Sequence, residues 1–212
     1  MHNGGIGCWR HIKRNLALSL GERWFGYVQG STDSEWAFAL FLDCLEKAGY
    51  DPDSPPSSEK GFGHSVLRKA ILKTISRINA FIAALSDKDR ADDCRSLLNF
   101  AITDGHSVVC SRYVSSRKDE AASLFFSSGT SWKEKQAGKK GGSEPVDPNH
   151  KDYVMERRDK GSDIVLVASE PLTFERGEYL HYLLLNHMLI VVKTTGSRCL
   201  PTLLLLSRTK PS

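Results

Sequence analysis

The amino-acid sequence predicts an α+β domain in which helices come first and antiparallel strands follow. Apolar residues recur at helical spacing through the first 85 residues, whereas short β-forming runs separated by turn residues follow from residue 97 onward. Successive strands without helices between them form antiparallel rather than parallel sheets. We therefore expect helices layered on antiparallel sheets.

Three amphipathic helices are predicted before residue 86. The first covers residues 8–20, and its apolar side chains share one face. The second covers residues 32–47 and begins with Thr32-x-x-Glu35, a capping-box pattern. The third covers residues 67–85. The stretch at 23–29 is aromatic and short, and we expect a strand or an extended link there.

The predicted strands begin with a hairpin. Residues 97–102 and 106–114 are strand-like, and Asp104-Gly105 between them is a strong turn signal. Residues 124–132 form a third strand-like stretch. Ile164–Ala168 is fully apolar, so we expect a strand that is buried on both faces, with helices covering the sheets on more than one side.

Composition excludes several classes of protein. The 212 residues suffice for one sizeable domain, and a net charge of +4 is too weak to indicate a nucleic-acid partner. Five widely spaced cysteines without a C-x-x-C pattern predict reduced thiols in a cytoplasmic protein. The apolar run at 179–192 is too short and too polar to span a bilayer of roughly 30 Å, so no membrane partner is expected.

The stretch Asn3-Gly4-Gly5 allows two interpretations. An asparagine amide beside a glycine N–H can stabilise a developing oxyanion, typically by ~3 kcal/mol per donor. Asn-Gly is also a favoured pair in tight turns. From the residues alone, the turn is the favoured interpretation.

Asp33 allows two interpretations as well. It lies at the start of the second predicted helix, where it or Thr32 can cap the free N–H groups. Alternatively, its carboxylate can pair with the ammonium group of a ligand in a charge-assisted hydrogen bond.

In combination, the motifs "MHNGGI", "GSTDSEWAFALFLD", "FSSGTSW" and "VLVASEPLTFERG" resemble those of class II glutamine amidotransferases. These enzymes are N-terminal-nucleophile hydrolases with a four-layer αββα sandwich. Within the family, the chain most resembles the glutathione-degrading, Dug-type amidotransferase subunit. The resemblance implies an incomplete sandwich of this kind with antiparallel sheets.

The resemblance assigns roles to three residues. Asn3, through its side-chain amide, and Gly4, through its backbone N–H, would form the catalytic oxyanion hole. Asp33 would bind the α-ammonium of a γ-glutamyl substrate, either glutamine or glutathione. The implied partners are that small molecule and a peptidase-type subunit, and no cofactor or metal is implied.

The sequence also departs from the family pattern. The family's nucleophile is an N-terminal cysteine, whereas this sequence begins Met1-His2, so we expect the chain to be truncated and inactive alone. Cys8 has no α-amine and falls in a predicted helix, so it is no substitute. We expect a partial amidotransferase domain at 1–178, with a flexible insertion at about 133–150, and a divergent apolar tail without closing strands at 179–212. A non-catalytic interaction subunit, or a pseudoenzyme remnant of an amidotransferase complex, is the alternative.

Overall fold

The structure is a computed structural model. It describes residues 1–53, 61–90, 94–116, 118–134, 153–156, 164–170, 180–182, 187–193 and 199–205. The helices are α1 (Trp9–Ser19), α2 (Glu22–Tyr27), α3 (Asp33–Lys47) and α4 (His64–Ala83). The strands are β1 (His2–Gly5), β2 (Leu97–Thr103), β3 (Ser107–Arg112), β4 (Phe125–Gly129), β5 (Ser131–Glu134), β6 (Tyr153–Glu156), β7 (Ile164–Ala168), β8 (Leu180–Tyr182), β9 (His187–Lys193) and β10 (Cys199–Leu205).

The three long predicted helices are confirmed as α1, α3 and α4, with ends that differ by at most three residues. The expectation of a strand or extended link at 23–29 is wrong, because α2 is a helix there. Its Trp24 is buried and donates a hydrogen bond of 2.7 Å from Nε1 to Glu46 of α3. This tertiary contact outweighs the weak local signal of a short aromatic stretch.

The described strands form three sheets, and pairs within them are antiparallel. The largest has the order β1-β2-β3-β9-β10, and the others have the orders β7-β4-β8 and β5-β6. The predicted hairpin is confirmed as β2 and β3. Asp104 shapes its turn by accepting hydrogen bonds from the N–H groups of His106 and Ser107.

The two faces of the largest sheet contact different layers. Leu98, Phe100 and Val109 lie in one core with the buried faces of α1, α3 and α4. Cys110 and its neighbours on the opposite face pack against Leu124 and the apolar side chains of β4 and β7. The described residues therefore build three layers, which are helices, a first sheet and a second sheet.

Several expectations for the later strands are corrected. Residues 124–132 form two strands rather than one, because the chain leaves β4 at Thr130 and enters β5 in another sheet. Side chains of Ile164–Ala168 are half-buried rather than buried on both faces.

The segment 179–212 contains β8, β9 and β10, so the expectation that it lacks closing strands is wrong. Lys133 and Glu134 belong to β5, whereas the rest of the predicted insertion, 135–150, lies outside the described residues.

The expectation of reduced thiols is wrong for one pair of cysteines. Cys8 and Cys94 form a disulfide, and their Cα atoms lie 4.5 Å apart. Cys8 precedes α1 rather than lying inside it, and it has a left-handed backbone conformation with φ of 50°. The pairing could not be found from the spacing in the sequence, because 86 residues separate the two cysteines.

A buried carboxylate joins three helices. Asp43 of α3 is fully buried and accepts hydrogen bonds from Gly21 N–H at 3.0 Å, from Lys47 Nζ at 2.7 Å and from Arg77 of α4. Arg77 also donates to the carbonyl and hydroxyl oxygens of Ser19 at the end of α1. Burial opposes the ionisation of Asp43, but the two cations and the N–H group hold its pKa below the usual value.

Gly7 lies where the chain crosses the segment before β2, and no larger residue fits. A Cβ at Gly7 would overlap the carbonyl group of Cys94, whereas a Cβ at Gly26 in α2 would meet nothing within 4 Å. We expect Gly7→Ala to lower the free energy of unfolding by about 1–3 kcal/mol, because the backbone must shift. Gly26→Ala is the matched control and should stabilise the helix by up to ~1 kcal/mol. Urea unfolding of both variants tests this, and equal effects would contradict it.

Candidate active site

The glycine-rich start of the chain is a strand rather than the tight turn that the residues alone favoured. β1 pairs with β2, so that Asn3 lies opposite Asn99 and Gly4 opposite Leu98. Gly4 has φ of +133°, and a Cβ there would overlap the carbonyl oxygen of Leu97. Glycine is therefore required at this position by both backbone conformation and close approach.

The structure brings Asp33 next to this strand. Asp33 Oδ2 accepts a hydrogen bond of 2.8 Å from the N–H of Ile6, and a Cβ at Gly5 would lie 3.7 Å from the same oxygen. Because side chains alternate along a strand, positions 3 and 5 share one face of β1, about 7 Å apart. The carboxylate of Asp33 thus lies close to Gly5, two residues after the exposed Asn3.

Asp33 is not the N-cap of α3. Thr32 caps the helix, since its hydroxyl accepts from the N–H of Glu35 at 3.4 Å. Glu35 does not complete the capping box but accepts from the N–H of Gln29 at 2.8 Å. The capping interpretation therefore applies to Thr32, and the Asp33 carboxylate is directed to the turn after β1.

His2 lies beside the candidate site, on the other face of β1, and no sequence pattern singled it out. Its Nε2 lies 3.2 Å from the carbonyl oxygen of Leu97, and its Nδ1 lies 2.9 Å from Ser34 Oγ. A carbonyl only accepts, so Nε2 carries a proton. The Ser34 hydroxyl in turn lies 3.4 Å from Asp33 Oδ1, to which it donates. Burial lowers the pKa of His2, although the Leu97 carbonyl and the charge of Asp33 act in the opposite direction.

This lowered pKa predicts how stability depends on pH. Because the pKa of His2 is lower in the folded chain, the unfolded chain binds a proton there more readily. The free energy of unfolding therefore rises with pH over the range in which the unfolded chain releases this proton. We expect the contribution of His2 to be present above about pH 6.5 and to be lost progressively as the pH falls below that value. Urea unfolding of wild type and His2→Gln at several pH values tests this. If the free energies of unfolding of the two proteins differ by the same amount at every pH, this prediction is wrong.

Asn99 is a second residue that the sequence did not single out. It is 2% exposed, and it faces Asn3 across the β1–β2 pair. Only the register of this pair reveals the juxtaposition, because a shift by one residue would move Asn99 to the other face.

The described thiols are not exposed nucleophiles. Cys8 is bonded to Cys94, and Cys44 and Cys110 are free but buried. Burial raises the pKa of Cys110 to about 12, which keeps that thiol protonated. Among the side chains that the structure describes, no cysteine is therefore placed to attack a substrate.

A cavity of about 350 Å³ lies on the other side of β1, between the strand and the helices. His2, Ser34 and Glu35 line it together with apolar side chains that include Phe41 and Phe100. The predicted site residues Asn3, Gly4 and Asp33 do not line it. The candidate site is thus the face of β1 that carries Asn3, and the cavity is separate from it.

Two structural features are absent from the described part of the chain. None of its helices combines the length and the apolar character needed to cross a membrane. Nor does that part of the chain group three or more histidine, cysteine, aspartate or glutamate side chains in a way that could hold a metal ion.

Comparison with solved structures identifies the class of fold. The chain matches a glutamine aminotransferase class-II domain protein from Silicibacter pomeroyi with a TM-score of 0.53 and 20% identity, over 98% of this chain and 67% of that one. At this identity the likeness concerns the fold alone, which is a mixed arrangement of helices and antiparallel sheets.

A curated relative then shows the family. The chain is 48% identical over 179 residues to "Probable glutamine amidotransferase DUG3" from Saccharomyces cerevisiae, which covers 84% of this chain. The chain therefore belongs to the class II glutamine amidotransferases, as its motifs predicted. It spans 45% of the length of this relative. No protein-family model matches the chain.

Proposed function

We propose that the chain contributes the oxyanion-binding and ammonium-binding part of an amidotransferase site that hydrolyses γ-glutamyl amides. The observation that carries this proposal is the approach of the Asp33 carboxylate to the strand that holds Asn3 and Gly4. Asn3 and Gly5 are separated by about 7 Å along β1. A γ-glutamyl group places its ammonium and its reacting carbonyl roughly 5 Å apart when extended, as bond lengths of about 1.5 Å imply.

Each residue has a distinct task in this mechanism. Asp33 binds the α-ammonium in a charge-assisted hydrogen bond and so fixes the position of the γ-carbonyl. The Asn3 side-chain amide and the Gly4 N–H donate to the oxygen that becomes negatively charged as the nucleophile attacks. None of Cys8, Cys44, Cys94 and Cys110 is an exposed free thiol. We therefore propose that residues 1–212 alone are inactive.

Glutathione and glutamine are both candidate substrates. Both carry a free α-ammonium on the same glutamyl group as the γ-amide, so Asp33 would recognise either. Glutathione catabolism is the proposed role by similarity to the Dug-type subunit. A peptidase-type partner would then act on the cysteinylglycine that is released.

A non-catalytic interaction subunit is the second candidate function. The observation that favours it is the absence of an exposed free thiol among the described side chains. Such a protein would keep the helical core and bind a partner without chemistry of its own.

The fold proposal extends the three described layers to four. The half-buried side chains of β7 leave one face of the second sheet only partly covered by described residues. We propose that further helices pack on this face and complete an αββα sandwich. By the full-length protein we mean this chain with the N-terminal cysteine segment of the family pattern restored before it. A crystal structure of that protein with this face open to solvent would contradict the proposal.

Glutamate release distinguishes the two candidate functions. We expect the full-length protein, supplied with glutamine or glutathione, to release glutamate, and Asn3→Ala to lower kcat by roughly 10²–10³. Residues 1–212 alone should release none. No turnover by the full-length protein, with or without a coexpressed partner, would favour the non-catalytic alternative.

A further inference from the structure

The side chain of Asn99 leaves one buried polar atom without a partner. Its Nδ2 donates to the carbonyl oxygens of Ala122 and Ser123, both at 3.1 Å. Carbonyls only accept, so these two bonds fix the orientation of the amide. Its Oδ1 is then an acceptor that is buried and makes no hydrogen bond to any described residue. A buried acceptor of this kind costs free energy and calls for an explanation.

Asn3 lies directly opposite Asn99 and offers an amide donor to this atom. Asn3 and Asn99 are directly paired across β1 and β2, so their side chains lie on the same face. Cβ atoms of such pairs are about 4.5–5.5 Å apart, which two amide side chains can bridge. Asn3 is exposed, so its side chain can rotate toward Asn99 without displacing packed neighbours.

We propose that Asn99 is a positioning residue for Asn3. Asn99 Oδ1 accepts one N–H of the Asn3 amide, and the second N–H of that amide is then aimed at the substrate oxygen. This inference rests on the proposed function, because it assigns Asn3 the oxyanion role. What it adds is that Asn99 holds the Asn3 amide in place.

The chemistry of a side-chain donor makes such support necessary. A backbone N–H such as that of Gly4 is fixed by the strand, whereas an exposed asparagine amide samples several rotamers. A donor stabilises the transition state only if its direction is set before charge develops. The two hydrogen bonds from Asn99 to Ala122 and Ser123 fix the orientation of the Asn99 amide. A hydrogen bond from Asn3 to Asn99 Oδ1 would then fix the orientation of the Asn3 amide.

A double-mutant cycle in the full-length protein tests the coupling. We expect Asn99→Leu to lower kcat for glutamine about tenfold with KM little changed, a part of the 10²–10³ loss typical of removing an oxyanion donor. In the Asn3→Ala background, Asn99→Leu should have almost no further effect on kcat. Asn79→Leu is the matched control, because it removes another hydrogen bond from an asparagine side chain on a different element. That bond runs from Asn79 Nδ2 to the Tyr113 hydroxyl at 2.7 Å. An equal loss from Asn99→Leu in both backgrounds would overturn the proposal.

A second measurement does not depend on activity. Nuclear magnetic resonance of the Asn3 side-chain amide should show protons that exchange slowly with water in the wild type and faster in Asn99→Leu, with Asn79→Leu unchanged. Unaltered exchange in Asn99→Leu would overturn the proposal even if turnover fell. If the wild type hydrolyses no γ-glutamyl amide, the proposed function fails, and the exchange data still decide whether Asn99 holds Asn3.

Discussion

Replacing Asp43 by alanine is expected to lower the free energy of unfolding by about 3–5 kcal/mol, because the change leaves a buried arginine without its counter-charge. Arg77 is 18% exposed and would lose its ion pair with a fully buried carboxylate. The N–H of Gly21 would lose its acceptor at the same time. Lys47 should contribute little to this loss, since its side chain is 57% exposed. Urea unfolding followed by circular dichroism measures the effect.

Asp53→Ala is the matched control for this variant. Asp53 also pairs with an arginine, Arg23, but its side chain is 71% exposed, so we expect a change below about 1 kcal/mol. The pH dependence gives a second check. Because the folded-state pKa of Asp43 is lowered, its contribution is present above about pH 4 and is lost as the pH falls further. Similar destabilisation in both variants would show that burial of Asp43 is unimportant.

Asp33→Asn in the full-length protein is expected to lower kcat/KM for a γ-glutamyl substrate by roughly 30-fold to several thousandfold. The loss of one partner of a desolvated charge pair typically costs ~2–5 kcal/mol. The asparagine oxygen can still accept from the N–H of Ile6, so the turn after β1 keeps its hydrogen bond. Thr32 continues to cap α3, and we therefore expect stability to change by less than about 1 kcal/mol.

Glu35→Gln provides the control for the loss of one negative charge near α3. Glu35 contacts the N–H of Gln29 through an oxygen that glutamine also offers, and it has no assigned contact with substrate. The kcat/KM of Glu35→Gln should therefore stay close to that of the wild type. If Asp33→Asn keeps full kcat/KM and only lowers the melting temperature, Asp33 has a structural role alone.

The long helices and the first hairpin could be predicted because their signals are local. A period of apolar residues marks α1, α3 and α4, and Asp104-Gly105 marks the turn between β2 and β3. α2 was missed because its stability comes from the burial of Trp24 and its bond to Glu46. β5 was missed because nothing in the local pattern shows that the chain changes sheets after β4.

The roles of the candidate site residues stay a prediction, and their geometry could not be predicted from the sequence. The motifs selected Asn3, Gly4 and Asp33 through resemblance to the family. They could not show that Asn3-Gly4 is a strand, that Thr32 rather than Asp33 caps α3, or that His2 and Asn99 lie beside them. Each of these facts depends on a contact between residues far apart in the sequence.

The pairing of β1 with β2 has a consequence for the order of folding. His2 contacts the carbonyl of Leu97, which lies 95 residues further along the chain. Contacts of such high sequence separation form slowly, because a long loop must close before they yield any stabilisation. The helices in between can form from local interactions and then bring the two strands together. We therefore expect the residues of β1 to gain protection from hydrogen exchange late in refolding, after α3 and α4.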